Sequence, residues 1–330
     1  MTTNEASPVT ATATTVVQRT WPRRHILDVD DFSVADYDLV FETADAMREV
    51  LGREIKKVPT LRGKSVVTVF FEPSTRTRVS FEIAAKALSA DCTSITAATS
   101  SVAKGESLLD TLRTIQSLGA DVVVMRHPAS GVPYLAARHL DISVINAGDG
   151  CHAHPTQALL DAYTIRRRLG RLVGLKAVLV GDILHSRVAR SNLWAMTALG
   201  LDIVLCGPPS LLPVSNGAGD GAWPACRLEA DLDRAIEGAD VVMGLRLQLE
   251  RQEQGLLPSI REYVRGYQIT RERLARARPG ALLMHPGPVN EGVELTPDVA
   301  HGLQSVVEEQ VTNGVAVRMA LLYLLLGRGQ

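Results

Sequence analysis

Short apolar runs rich in Val, Ile and Leu alternate along this chain with longer segments in which apolar residues return every three or four positions. The first kind predicts strands and the second amphipathic helices. Order is expected from about Trp21, and Ser33-Val34-Ala35-Asp36 resembles a capping box ahead of the helical DYDLVFETADAMREVL. SVVTVFF (65–71), SITAAT (94–99), DVVVMRH (121–127) and SVINAG (143–148) read as strands. Helices are expected over 75–89 and 107–118, with YLAARHL between the last two strands. A long helix should run from His154 to about Leu169. The series then restarts with strands KAVLVGD (176–182), DIVLCGP (202–208), DVVMGLRL (240–247) and ALLMHP (281–286). Strands that are apolar nearly throughout are buried on both faces, which marks parallel sheets covered by helices. The expected class is α/β, with two doubly wound parallel-sheet domains and the helix from His154 as their bridge. The stretches 209–226 and 248–268 read as long connections.

Composition narrows what such a fold can do. The 330 residues, 46% of them apolar, suffice for two domains with cores of their own. A formal net charge of −1 gives no global attraction to nucleic acid or to an anionic membrane, so any anion must be held by local clusters. Cys92, Cys151, Cys206 and Cys226 stand far apart without a C-x-x-C pair, which fits a reducing cytosol better than a disulfide framework or zinc ribbon. Residues 1–22 are rich in Thr, Ala and Ser and lack a basic stretch followed by an apolar core, so a disordered tail is expected rather than a signal peptide. GVAVRMALLYLLLG near the end is too short to span a bilayer and contains Arg318; it predicts a buried helix. A soluble, cytoplasmic protein is expected.

In open α/β sheets ligands sit beyond the carboxyl ends of the strands, so the residues that follow each strand carry the chemistry. In EPSTRTR, Pro73 ends a strand, and Ser74 or Thr75 caps the next helix. Hydroxyls and a guanidinium at a helix N-terminus suit a phosphate; the bland alternative is a capped helix with Arg78 paired to Glu82. SSVAKGES offers Ser100, Ser101 and Lys104, which alone read as a surface loop capped by Ser107. Arg126 closes a strand, where a structural salt bridge is an equal account. His152 and His154 lack a further ligand at zinc-like spacing, so no metal is expected. With Pro155 at the first helical position, His154 and Gln157 share one side of the first turn, and such a His can polarise a carbonyl. VGDILHSR lacks G-x-G-x-x-G, which removes support for a dinucleotide, and Arg187 opens a helix instead. LRLQLER alternates, so Arg246 and Gln248 project together as a carboxylate clamp or as a polar edge stripe. HPGPVNEG forces a rigid segment able to present carbonyl oxygens. There is no triad, P-loop or supported Cys nucleophile. The profile suits two anionic substrates and an electrophile that is already activated.

Taken together, FFEPSTRTRVSFE, SSVAKGES, MRHP, NAGDG…HPTQALLD, VGDILHSR, LRLQLER and HPGPVN resemble the carbamoyltransferase family over residues 24–326. LRLQLER is similar to the aspartate-specific catalytic chains. Gly244-Leu245-Arg246 and His285-Pro286-Gly287 stand where ornithine enzymes carry Ser-Met-Gly and a His-Cys pair. The resemblance implies two domains joined by two helices: residues 23–153 for carbamoyl phosphate, completed by a C-terminal helix at 307–327, and 154–306 for aspartate. It implies that Ser74, Thr75, Arg76 and Thr77 bind phosphate, and that Thr77, Arg126 and His154 contact the carbonyl oxygen. Gln157 and the carbonyls of Pro286 and Gly287 would hold the amino group. Arg187, with Arg126, would take the α-carboxylate of aspartate, and Arg246 with Gln248 the β-carboxylate. Ser100 and Lys104 would enter from the adjacent subunit of a homotrimer with shared sites. Glu72 would pair with Arg187 and Arg251 on domain closure. No cofactor is implied, and regulatory chains or a dihydroorotase partner stay open. Glu291 departs from the Arg common in HPGPVNRG and is given no catalytic role. Transfer to another amine and a non-catalytic phosphate-sensing homologue are the competing functions; Arg246 opposes a cationic substrate, and the intact site set opposes a mere scaffold.

Overall fold

The computed structural model describes residues 21–96, 107–214, 223–247 and 259–327. The first helix, α1 (Val34–Leu51), starts at the expected capping box. The Ser33 hydroxyl accepts from the Asp36 backbone N–H, and the Asp36 carboxylate accepts from the Ser33 N–H. There follow β1 (Ser65–Phe70), α2 (Thr75–Ala87), β2 (Asp91–Thr96), α3 (Leu108–Ser117), β3 (Val122–His127), α4 (Val132–His139) and β4 (Ser143–Asp149). Their four strands form one parallel sheet in the order β2-β1-β3-β4. Helix α5 (Pro155–Leu169) leads to β5 (Lys176–Val180), α6 (Arg187–Ala198), β6 (Asp202–Cys206), β7 (Arg227–Glu229), α7 (Leu232–Ile236) and β8 (Val241–Gly244). Then come α8 (Ile260–Tyr267), α9 (Arg271–Leu274), β9 (Leu282–Met284), α10 (Pro297–Ala300) and α11 (Val307–Leu326). The second sheet is also parallel, in the order β7-β6-β5-β8-β9.

Several details differ from the sequence expectation, among them a fifth strand in the second sheet, β7. The strand expected at 240–247 ends at Gly244, so the alternation in LRLQLER does not place Arg246 on a strand. Within the expected connection 248–268, the described residues form α8, started by Ser259, whose hydroxyl accepts from the Glu262 N–H. Its signal is the capping-box spacing Ser259-Ile260-Arg261-Glu262. Strand β2 begins at Asp91 rather than Ser94, and as a sheet edge its residues are exposed or half-buried.

Packing explains how two sheets make one working unit. A continuous apolar cluster includes residues of α1, α2, α5, α6 and α11 and of both sheets, while separate clusters cover the opposite face of each sheet. Helix α5 touches β4 and α6; α11 touches α1, α2, α5 and β9. Both helices therefore join the two sheets. The apolar C-terminal segment is indeed a buried helix, and among the described residues no helix is long and apolar enough to cross a membrane. Leu321, fully buried on α11, sits in the shared cluster. Leu321→Ala is expected to cost about 2–5 kcal/mol of stability, since a core cavity adds to the lost transfer energy. A urea titration followed by circular dichroism checks this; an unchanged midpoint would remove α11 from the shared core.

Candidate active site

Where successive crossovers leave a parallel sheet in opposite directions, a crevice opens at the carboxyl ends of the two central strands. The strand orders put these points between β1 and β3 and between β5 and β8. The segments that follow those four strands converge on a cleft of about 980 Å³. It is lined by Glu72 to Thr77, Arg126, His154, Gln157, Arg187, Arg246 and His285 to Pro288, among others.

One end of the cleft is built from α2. Ser74 holds the N-cap position, but its hydroxyl makes no capping bond, and the first turn carries no acidic residue. The positive end of the helix thus faces the cleft without a built-in counter-charge. Thr75 and Arg76 are exposed and Thr77 is buried. Across from them, Gly287 has φ 72°, and a Cβ there would lie 3.0 Å from Arg76 Nε. Only glycine lets this segment pass so close to the guanidinium. Arg78, by contrast, pairs with Glu82 one turn along at 3.8 Å.

Arg187 opens α6 and is 3% exposed. A guanidinium at the positive end of a helix, and buried as well, needs acceptors. Its Nη2 donates to Glu72 Oε2 at 2.8 Å, and its Nη1 to the Gly150 carbonyl at 3.0 Å. A Cβ on Gly148 would fall 2.9 Å from Arg187 Nε, so that glycine makes the room. The same Glu72 oxygen accepts from Arg126 Nε at 3.1 Å. Glu72 therefore ties the end of β1 to the end of β3 and, across to the second sheet, to α6. Its contact with Arg187 is the expected one; that with Arg126 is new, and Arg251 lies outside the described residues.

The opposite wall comes from α5 and the loop after β9. His154 is the N-cap residue of α5, and its backbone N–H donates to Ser191 Oγ on α6 at 2.9 Å. The Gln157 amide N–H donates to Asp161 Oδ1 at 2.9 Å, so its carbonyl end is left for the cleft. His285 Nδ1 accepts from the Gly287 N–H at 2.9 Å. Burial, with Arg76 and Arg246 nearby, pushes the His285 pKa down to about 3, which keeps the ring neutral and Nδ1 available as acceptor. Among the described residues, five arginines (Arg76, Arg126, Arg187, Arg246, Arg318) and one glutamate line the cleft, an excess of positive charge suited to more than one anionic group. Among the described residues no group of three or more His, Cys, Asp or Glu could hold a metal ion.

Residues 24–167 match the family model of the aspartate/ornithine carbamoyltransferase carbamoyl-phosphate-binding domain, and residues 173–325 match that of its Asp/Orn-binding domain. The chain belongs to the aspartate/ornithine carbamoyltransferase family. It is 63% identical over 305 residues to an aspartate carbamoyltransferase catalytic subunit from a Roseiflexus species, covering 92% of this chain and 96% of that one. The catalytic subunit of M. jannaschii aspartate transcarbamoylase superposes with TM-score 0.80 at 35% identity, covering 92% and 98%. Ornithine carbamoyltransferase from Pyrococcus furiosus superposes with TM-score 0.82 at 30% identity, covering 93% and 98%. The shared fold thus spans both branches of the carbamoyltransferase family.

For a carbamoyltransferase, the sequence-predicted residues are brought together well. Glu72, Ser74, Thr75, Arg76, Thr77, Arg126, His154, Gln157, Arg187, Arg246, Pro286 and Gly287 all line the one cleft. Ser100, Lys104, Gln248 and Arg251 lie outside the described residues. Glu291 is exposed and faces His301 at 3.1 Å. Sequence reasoning missed Gln310 and the site position of Arg318, which line the cleft from the helix layer, and Asp161, which is buried behind it and bonded to Gln157 and Gln310. One signal was available: Gln310, Asn313 and Arg318 are polar residues among the buried positions of a largely apolar helix.

Proposed function

We propose that the protein transfers the carbamoyl group of carbamoyl phosphate to the amine of L-aspartate, giving N-carbamoyl-L-aspartate and phosphate, in de novo pyrimidine (UMP) biosynthesis. The observation that carries this is the arginine-lined cleft between the two switch points, with a helix N-terminus on one side and buried amide acceptors on the other. Ser74, Thr75, Arg76 and Thr77 take the phosphate. Thr77, Arg126 and His154 take the carbonyl oxygen. Gln157 and the carbonyls of Pro286 and Gly287 accept from the amino group. Arg187 with Arg126 binds the α-carboxylate, and Arg246 with Gln248 the β-carboxylate. The neutral amine forms a C–N bond to the carbamoyl carbon while the C–O bond to phosphate breaks, and the departing phosphate accepts the amine proton. Charge that grows on the carbonyl oxygen meets donors already in position. Glu72 stabilises the approach of the two halves, which excludes water and aligns the substrates.

Residues 23–153 with α11 form the carbamoyl-phosphate half, and 154–306 the aspartate half. The working unit is a homotrimer in the cytoplasm, with Ser100 and Lys104 supplied by the neighbouring subunit. The 63% identity to an aspartate carbamoyltransferase catalytic subunit supports the amine assignment. Purified protein with carbamoyl phosphate is expected to carbamoylate aspartate, and ornithine at least about 10²-fold more slowly, because like charges juxtaposed in a desolvated site cost several kcal/mol. Equal rates with the two amines would overturn the assignment, and no turnover with aspartate would remove the function.

A further inference from the structure

Asp161 lies on α5 one helical turn after Gln157, so the two side chains share a face. It is fully buried, and three side-chain amides surround it. Gln157 Nε2 donates to Oδ1 at 2.9 Å, Gln310 Nε2 to the same oxygen at 2.7 Å, and Asn192 Nδ2 to Oδ2 at 2.8 Å. An ionised carboxylate is acceptor-only, so each amide must turn its NH₂ end inward and its carbonyl end away. Burial pushes the Asp161 carboxyl up to about 6, drawn back by the three donors and by Arg318, and all three of its side-chain partners donate to it. Arg318, buried at the cleft wall, is lowered to about 10 and remains a cation.

The outward ends reach the cleft. The Gln157 carbonyl has only the cleft side left to it. The Gln310 carbonyl accepts from the His285 backbone N–H at 3.0 Å, and His285 Nδ1 in turn accepts from the Gly287 N–H at 2.9 Å. The Pro286 and Gly287 carbonyls therefore hang on a chain that begins at Asp161. A flipped Gln157 would set NH₂ against NH₂, and a slack 285–288 segment would lose its two acceptors.

We propose that Asp161 is a positioning residue that orients, through Gln157 and through Gln310 and His285, every acceptor that holds the amino group of carbamoyl phosphate. This rests on the functional reading above. Asp161→Leu removes the acceptor while keeping an uncharged buried side chain. It is expected to lower kcat/KM for carbamoyl phosphate on the order of 10²-fold, the scale of a small displacement of a reacting group. Competition by inorganic phosphate, which uses Ser74 to Thr77 only, should stay unchanged. Asp161→Asn should recover most of the loss. Its Oδ1 still serves both glutamines, and its NH₂ faces Asn192, which can turn its own amide to accept.

In a double-mutant cycle, Asp161→Leu added to Gln157→Ala should cost less than the product of the two single effects. Losses that simply multiply, or phosphate competition weakened as much as turnover, would overturn the proposal. If Asp161→Leu does not fold, Gln310→Leu decides: a lowered kcat/KM with intact phosphate competition supports the proposal, and a wild-type value sinks it. A wild type inactive with aspartate, or a fully active Gln157→Ala, would instead strike the functional reading on which the proposal stands.

Discussion

Arg76→Ala is expected to lower kcat/KM for carbamoyl phosphate on the order of 10³-fold, the low end of what a phosphate-directed arginine contributes to phosphoryl chemistry. The reason is local. Arg76 stands in the first turn of α2, where helix N–H groups and the hydroxyls of Ser74, Thr75 and Thr77 already favour an anion. It is the only guanidinium of that turn that faces the cleft, because Arg78 is turned to Glu82. Gly287 stands opposite it, where a Cβ would lie 3.0 Å from the guanidinium Nε. Phosphate gains charge as it leaves, so a cation there stabilises the transition state more than bound substrate. Arg76→Lys should recover only part of the loss, since an ammonium lacks the planar fork. Arg76 is exposed, so the thermal midpoint should barely move, which separates a lost contact from a lost fold. Steady-state kinetics settle the matter: full activity in Arg76→Ala would put the phosphate elsewhere.

Much of this site was legible because of how parallel sheets work. Each strand is a run of buried apolar residues, so its end is visible in sequence; the end of β3 carries Arg126, and the first turns of the helices that follow β1 and β5 carry Arg76 and Arg187. The order of the strands was not legible. Nothing in the apolar runs says that β1 neighbours β3 or that β5 neighbours β8, yet those adjacencies are what unite the loops in one cleft. Residues joined by distant contacts were likewise hidden. Glu72 and Arg126 meet over a separation of 54 residues, and Gln310 reaches Asp161 over 149. The alternating pattern of LRLQLER overstated the strand for a physical reason: alternation reports a shared face only while the backbone is extended, and β8 ends at Gly244, before Arg246, while Gln248 lies outside the described residues. The helix at 260–267 was missed because it has only two turns: Ile260, Tyr263, Val264 and Tyr267 keep helical spacing, but over eight residues that signal is short.

Arg126→Ala is expected to fail in a different way, and the contrast with Arg76 tests the division of labour in the cleft. Arg126 ends β3, and its Nε is held by Glu72 at 3.1 Å while Nη1 donates to the Ala147 carbonyl at 3.5 Å. These contacts aim a half-buried guanidinium before any substrate arrives, the condition for electrostatic stabilisation without reorganisation. If it donates to the carbamoyl oxygen, its value rises as that oxygen takes on charge. Arg126→Ala should then lower kcat on the order of 10²–10³-fold, the cost of removing one oxyanion donor, with a smaller change in KM for carbamoyl phosphate. KM for aspartate should rise as well, because in the proposed arrangement the α-carboxylate loses one of its two arginines. Glu72 keeps Arg187 as partner at 2.8 Å, so no buried carboxylate is stranded and the fold should survive. Arg126→Lys should not restore kcat, since one ammonium cannot answer Glu72, the carbonyl oxygen and the carboxylate with fixed geometry. A variant whose kcat is unchanged while only KM for carbamoyl phosphate rises would assign Arg126 to ground-state binding and take it out of the chemical step.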